Sequence, residues 1–548
     1  MKTLQHAALA FAVSLAVSAP ALAQTPPDVG DILQERQPAP ELPREGTGIQ
    51  IDRPITDSAA PGGPTVVVAG IELIGNSVFD EATLLAELGE YEAQTYDLAG
   101  LRELADQLGA FYLAQGYPFA RVFLPAQAAS DGVIRMEVVE GRYGRVSARS
   151  DDERISSGAN RLLGSLPSGN VIESTQLERT TLLLEDLPGV ITRPIMRPGE
   201  QLGTGDLDIE VALDQRFGFE VGADNHGNRY TGYNRGRFNA QINSPFTFGD
   251  QLSLRSVYSE EDLWLGSLTY SRPLGTHGMR LSASYAHTSY ELARDFADFG
   301  FEGEARISSL GLSYPIVRSQ RQNLSLSGTY QYKDLIDEQP DTERKESHNI
   351  PLSLSFDRRD GFGGGGILFG SVTLTAGDMR LDETLSAADL RDTDGRFTKF
   401  NLDIVRLQAL PIDQLTLYAR YSGQLADSNL DSSENFSLAG PSGVRAYPVG
   451  EVSGNEGSLV QLELRYRLGQ LSPYAFYDYG RVQADTNRVD GQDNPTTSLG
   501  GAGLGVRFDY AGFSLDASAA WRTQGSRPAD ENESDSQPRF WLSATYAF

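Results

Sequence analysis

Residues 457–468 read GSLVQLELRYRL, and their strict alternation decides the fold. Val460, Leu462, Leu464, Tyr466 and Leu468 form one face, and Gln461, Glu463, Arg465 and Arg467 the other. A period of two belongs to an extended strand, whose successive side chains point to opposite sides. Leu324, Leu326, Gly328, Tyr330 and Tyr332 repeat the pattern, interleaved with Ser325, Ser327, Thr329 and Gln331. From Arg216 onward such segments follow one another with no helical stretch of note. An apolar face opposite a polar one is what a strand needs with lipid outside and water inside. A soluble sandwich also alternates, so the flanking chain has to choose between the two.

About sixteen strands of roughly ten residues are predicted, the length a spanning β-strand requires. They include 215–224, 414–424, 457–468, 473–483 and 538–548. Short connections (410–413, 469–472, 511–512) alternate with long, acidic ones (334–342, 377–397, 484–498, 524–537). Membrane barrels have short periplasmic turns and long outer loops. The ends of the barrel segment then face the periplasm, and residues 438–456, LAGPSGVRAYPVGEVSGNE, form the sixth outer loop. Its Val444-Arg445-Ala446-Tyr447 sets one cation among apolar neighbours, inside Gly and Pro that break any regular ladder. Such a loop is expected to fold back onto something.

Composition agrees with a barrel. Among 548 residues there are 57 Gly, 23 Tyr and 24 Phe, with a mean hydropathy of −0.32. The chain opens as a secretory signal: Lys2, an apolar run 7–19, then Ala21-Leu22-Ala23 before Gln24. Cleavage is expected between Ala23 and Gln24. The run is too short for a spanning helix, and Pro20 closes it. The absence of Cys in the whole sequence excludes a disulfide scaffold and Cys-ligated metal. A net charge of −28 argues against nucleic acid as a partner. Five His residues, none in metal spacing, argue against zinc. No cofactor is expected, and without a Walker motif the chain is not driven by its own ATP hydrolysis.

Between signal and barrel lie a linker and two small modules. Residues 24–63 are Pro-rich and polar, with one short helix expected at 30–36 and Asp31 as its N-cap. Residues 64–141 give the order strand (66–73), helix (79–88), helix (98–112), strand (119–124), strand (132–138). Gly116 is placed to end the longer helix in the left-handed conformation. Residues 142–213 repeat the order: 145–149, 159–166, 175–187, 190–196 and 205–213.

These motifs resemble the two-partner secretion transporters, the TpsB branch of the superfamily that includes the barrel-assembly proteins. The first module carries Gly75-Asn76 with Phe79, Tyr112, Gly116-Tyr117, Leu124-Pro125 with Gln127, and Glu140-Gly141. The second carries Leu187-Pro188-Gly189-Val190, Arg197-Pro198-Gly199 and Gly203-Thr204; Asp224-Asn225 with Gly227, then Thr231-Gly232, match the barrel start. Val444-Arg445-Ala446-Tyr447 is similar to the family's sixth-loop motif, with Ala446 where the family has Gly. Phe476, Asp478 and Gly480 are similar to its inner-wall motif, and the terminal Tyr546 and Phe548 resemble the barrel-recognition signal. The resemblance implies two periplasmic polypeptide-transport-associated (POTRA) domains, at 64–141 and 142–213. A sixteen-stranded transmembrane barrel follows at 214–548, in the outer membrane of a Gram-negative bacterium. The helix near residue 31 falls where the family carries a pore-plugging helix.

Parity puts Tyr474, Phe476, Asp478 and Gly480 on one face and Ala475, Tyr477 and Tyr479 on the other. Two tyrosines suit lipid, so Asp478 is expected in the lumen, within reach of Arg445; Glu463 on the adjacent strand is an alternative partner. In a wet lumen such a pair would add only about 1 kcal/mol and act as a latch for position. The edge strands of the modules are expected to take an incoming unfolded chain by strand addition. Gly361, Gly363 and Gly366 satisfy a dinucleotide fingerprint, but no βαβ unit follows. Asp392, Asp394 and Gly395 echo a calcium loop without its downstream ligands.

The expected function is secretion of one large, TpsA-like exoprotein with an amino-terminal secretion domain. Lipid surrounds the pore, and barrel-assembly machinery acts during biogenesis. One alternative is a barrel-assembly insertase of the same superfamily. Another, from a different class, is an outer-membrane enzyme such as a phospholipase, which would leave the tandem modules unexplained.

Overall fold

The computed structural model describes residues 26–34, 42–43, 61–128, 131–339, 341–489, 491, 493–528 and 537–548. The expected signal segment, with Ala23 and Gln24, lies outside the described residues. A six-residue helix, α1 (Val29–Gln34), comes first. Asp28 caps it, accepting from the Asp31 N–H at 2.9 Å. The cap expected at Asp31 is thus corrected: the helix begins earlier, and Asp31 lies in its first turn.

The first module comprises β1 (Val66–Val67), β2 (Gly70–Ile74), α2 (Glu81–Glu87), β3 (Thr95–Tyr96), α3 (Leu98–Ala114), β4 (Arg121–Phe123) and β5 (Val133–Val139). Its sheet runs β2-β5-β4, with β2 parallel to β5. The single strand expected over 66–73 divides, because Val68 bonds to Ala93 and Gln94 and draws β1 onto β3. Asp97 starts α3 by accepting from the Gly100 N–H. At its end Gly116 adopts φ +92°, and the Tyr117 N–H returns to the Tyr112 carbonyl at 2.9 Å. Leu101, Leu104, Leu108 and Tyr112 bury one face of α3 against Ile134 and Met136. Glu140 then ties the module together, accepting from the Ser77 and Val78 N–H groups, the Tyr112 hydroxyl and Arg142.

Apart from the β1–β3 pair, the second module repeats this order and topology: β6 (Arg142–Arg149), α4 (Glu153–Leu163), α5 (Ser174–Glu185), β7 (Val190–Pro198) and β8 (Thr204–Leu213), in a sheet β6-β8-β7. Helix α4 starts six residues before the expected 159, because Asp152 supplies a cap to the Arg154 N–H.

The barrel strands are β9 (Phe217–Asp224), β10 (Arg235–Asn243), β11 (Gln251–Ser259), β12 (Trp264–Leu274), β13 (Met279–Glu291), β14 (Glu302–Arg318), β15 (Gln322–Gln339) and β16 (Asp341–Asp360). The second half adds β17 (Gly366–Leu381), β18 (Gly395–Ala409) and β19 (Leu415–Ala426). A small hairpin in the sixth loop, β20 (Phe436–Ser437) with β21 (Ser453–Gly454), precedes the last five strands. Those are β22 (Glu456–Tyr466), β23 (Leu471–Gln483), β24 (Thr496–Tyr510), β25 (Phe513–Gln524) and β26 (Arg539–Ala547). Leaving out β20 and β21, the sixteen strands from β9 to β26 close into one antiparallel barrel, with Ser543–Ala547 pairing Glu220–Asp224 at the seam.

Two outer connections differ from expectation. The loop expected at 334–342 is almost wholly strand, because β15 and β16 keep pairing and a cross-strand Arg344–Asp334 contact of 2.8 Å supports them. Within 377–397, β17 and β18 extend, and a short helix, α6, forms at Glu383–Ala388 on an Asp382 cap. Barrel and second module are joined by Phe248 in the β10–β11 turn, which is buried in that module's core beside Ile155 and Ala159. Gly158 lies under this ring, and a Cβ there would stand 2.6 Å from it.

Candidate functional site

The sixth loop leaves β19 and returns at β22, but its middle lies inside the barrel. Leu438, Val444, Ala446 and Tyr447 pack with Leu459, Phe476, Leu499 and Ala520 of the wall. Close approach is allowed by glycines on the strands. A Cβ at Gly501 would stand 2.7 Å from the Ala446 methyl, and one at Gly480 would overlap Leu438. Ala446 does not have a left-handed backbone, so the exchange of Gly for Ala needs no strained conformation here.

Arg445 sits at the centre of this contact. Its Nε and Nη2 donate to the two oxygens of Asp478 at 2.8 and 2.7 Å, and its backbone N–H donates to the same carboxylate at 3.1 Å. Nη1 donates to Glu463 Oε1 at 2.6 Å. Both carboxylates that parity placed inward therefore bind the same guanidinium, in the planar fork geometry that arginine favours. The Phe476 ring lies 3.6 Å from the guanidinium carbon, which gives it a cation–π face. Gly480 completes the motif by leaving room for Leu438.

The setting is dry, contrary to the expected wet lumen. The Asp478 side chain has no exposure, and that of Arg445 is 6 % exposed. The strands close around the loop, so the regime is that of a buried ion pair, in which loss of one partner costs about 3–5 kcal/mol. Glu463 also binds Arg465 and Arg507, and Arg507 reaches Asp516. Trp541 on β26 donates its indole N–H to the Arg445 carbonyl at 2.7 Å. The Tyr447 hydroxyl donates to the Gln524 carbonyl at 2.7 Å. The loop tip thus touches β22, β23, β24, β25 and β26 at once.

Helix α1 occupies the other part of the lumen. Val29, Ile32 and Leu33 pack on Leu263, Leu265, Tyr290 and Leu335. The Val29 N–H donates to Asp337 at 2.9 Å, and Asp28 meets Lys345 at 2.7 Å. Lys345 also binds Asp431 of the sixth loop, whose neighbour Ser432 donates to Asp28. Gly30 presses against this loop, where a Cβ would overlap Ser432 Oγ and Ser433 N. Just beyond, Glu434 is held between Lys333 and Lys399.

Arg465 and Arg507 fall on inward-facing positions, and Trp541 alternates with the lipid-facing Phe540 and Leu542; parity alone could have found all three. The seat of α1 has no comparable signal, since its partners come from five separate stretches. At the other end, Phe548 follows the last strand residue and stacks on Phe219 at 5.6 Å, and Tyr546 stacks on Phe548.

A barrel of sixteen strands with an inward loop and two tandem periplasmic modules narrows the comparison. Residues 203–508, more than half of the chain, match the family described as haemolysin secretion/activation protein ShlB/FhaC/HecB. The chain belongs to this family. Residues 66–141 match the ShlB-type POTRA domain. Among its relatives, the heme/hemopexin transporter protein HuxB of Haemophilus influenzae (strain 86-028NP) is 25% identical over 84% of this chain and 83% of its own. The hemolysin transporter protein ShlB of Serratia marcescens is 25% identical over 86% and 85%. In fold, the structure of CdiB from Escherichia coli superposes with a TM-score of 0.73 at 19% identity, covering 92% of this chain and 94% of that one. The transporter is therefore a two-partner secretion protein of the outer membrane, with its POTRA domains in the periplasm.

Proposed function

We propose that the second module captures an unfolded partner along β6, that the partner crosses the barrel, and that folding outside makes the passage irreversible. The supporting observation is a groove of about 720 Å³ beside β6, lined by Tyr143, Val146, Asn160 and Leu163. β6 is an outer strand of its sheet, and beyond Tyr143, whose main-chain groups bond Gly169 and Asn170, an outer strand carries main-chain groups that an extended segment can satisfy. Asn160 of α4 acts as such a segment in miniature: its amide bonds both the N–H and the carbonyl of Ala148 at 2.9 Å. Main-chain pairing reads shape rather than sequence, which suits a chain passing through.

The Arg445–Asp478–Glu463 contact is the latch that holds the loop tip against the wall, and α1 is the plug beside it. Both fill the lumen through which the partner must pass, so both must shift during transport. The partner is a large exoprotein with an amino-terminal secretion domain. Lipid surrounds the barrel, and assembly machinery acts on the end carrying Tyr546 and Phe548.

The natural chain has no Cys, so an Arg145→Cys variant carries one thiol beside the groove. With a stalled partner bearing single cysteines in its secretion domain, a periplasmic cross-link is expected at this position. Normal secretion with no cross-link along β6 would remove strand capture from the account. Deleting the transporter is expected to stop one exoprotein, whereas a general failure of barrel assembly would point to an insertase.

A further inference from the structure

Where the second module meets the barrel, a cavity of about 250 Å³ opens between α4 and the β10–β11 turn. Three arginines line it: Arg154 and Arg161 from α4, and Arg216 immediately before β9. Asp152 is also in its wall, but that carboxylate caps α4 and pairs with Arg154 at 3.2 Å. Arg161 and Arg216 pair with no carboxylate among the described residues, in a chain that carries 74 acidic side chains against 46 Lys and Arg. Ser157 and Thr247 add hydroxyls to the same wall.

The other side of the cavity is apolar and belongs to the lipid belt. Phe246 is 68 % exposed, and its ring meets Tyr270 edge-on at 5.8 Å. Tyr270 shares the outward face of β12 with Leu268. On β9, Phe217 and Phe219 are outward and exposed, and Arg216 lies over the Phe217 ring at 5.8 Å. Aromatic side chains with one wet and one apolar side collect at the membrane–water boundary. Guanidinium groups without acidic partners, set at that boundary, match a phosphodiester in charge and in fork geometry.

We propose that this cavity binds the headgroup phosphate of a phospholipid of the periplasmic leaflet, with Arg161 and Arg216 donating to its oxygens and Phe246 lying among its acyl chains. The lipid fills the angle between the second module and the barrel, beside the Phe248 anchor. It thereby fixes the height of that module against the membrane. This site is separate from the lumen and from the β6 groove.

The test uses the purified full chain in detergent, with native mass spectrometry counting bound phosphatidylglycerol as it is titrated in. The R161Q/R216Q variant is expected to bind about tenfold more weakly, and each single variant about threefold. Heat-modifiable mobility on gels confirms that each barrel is folded, and the single variants carry the test should the double variant fail to fold. Phe246→Ser is expected to weaken lipid binding as well. Inorganic phosphate is the second arm and is expected to leave the lipid in place. Equal lipid binding by folded wild-type and R161Q/R216Q protein would overturn the site. Displacement by inorganic phosphate as effective as by dihexanoylphosphatidylglycerol would overturn the lipid and leave a free-anion site.

Discussion

Two segments from distant parts of the chain enter the same lumen and are held there by different physics. The sixth-loop tip is held by charge: Arg445 satisfies two buried carboxylates, and its own carbonyl is satisfied by Trp541. Helix α1 has Val29, Ile32 and Leu33 in an apolar seat and, at its start, one lysine shared among several carboxylates. Three such side chains gain roughly 1.5–3 kcal/mol each on burial, against about 1–2 kcal/mol for ordering each of six residues. Those sums nearly cancel, so the polar contacts decide whether α1 stays. The loop tip is therefore the more firmly held of the two and α1 the more readily released. They meet at Asp431–Ser433.

The largest effect is expected from Arg445→Ala, which leaves Asp478 and Glu463 buried without their shared cation. Loss of one partner from a buried pair costs about 3–5 kcal/mol, enough to release the tip. Secretion should stop while membrane insertion and heat-modifiable mobility persist, and protease should now cut the loop in intact cells. Normal secretion by this variant would remove the latch. Gly30→Ala probes the other occupant, since the new methyl group would run into Ser432 and Ser433. Overpacking at such a contact typically costs about 1–3 kcal/mol. The variant should raise pore conductance in planar bilayers while leaving the loop protected; unchanged conductance would mean that α1 does not close the pore.

Trp541→Phe should have a smaller effect of about 2 kcal/mol, by leaving the buried Arg445 carbonyl without its donor. Loop protection should fall while the barrel still forms, and full protection would show the indole bond to be dispensable. Trp541 also marks how far the sequence could be read. Strand number, inward parity and the pairing of Arg445 with Asp478 follow from a period of two, because in a barrel each residue has only two directions. Dryness does not follow. It depends on Leu438 fitting over Gly480 and Ala446 over Gly501, matches between residues 42 and 55 positions apart. Apolar spacing places the start of α4 too late because a polar cap outranks it, and α1 is legible only as a short marginal helix. Its seat is built from Leu263, Tyr290, Leu335, Lys345 and Ser432, and no local pattern joins them.

The smallest expected effect is a pH dependence confined to α1. Burial, with Asp28 and then Asp431 nearby, pushes the Asp31 carboxyl from 3.8 up to about 8, and Lys345 opposes this only in part. The seated helix thus keeps a proton that the released helix loses. Its seat is strongest below pH 4, weakens as pH rises through the interval up to about 8, and levels off above that. Asp28 works in the opposite sense: burial would raise it, but Lys345 outweighs burial and holds it below 3.8. Its contribution is lost only as pH falls through the acidic range. Between pH 7 and 9 the change therefore comes from Asp31 and amounts to about 1 kcal/mol. Pore openings in planar bilayers should be more frequent at pH 9 than at pH 7, and Asp31→Asn should flatten that difference while keeping α1 seated. A pH response that survives in the Asn variant would place the titrating group elsewhere in the lumen, and the charge-held loop tip would then be the first place to look.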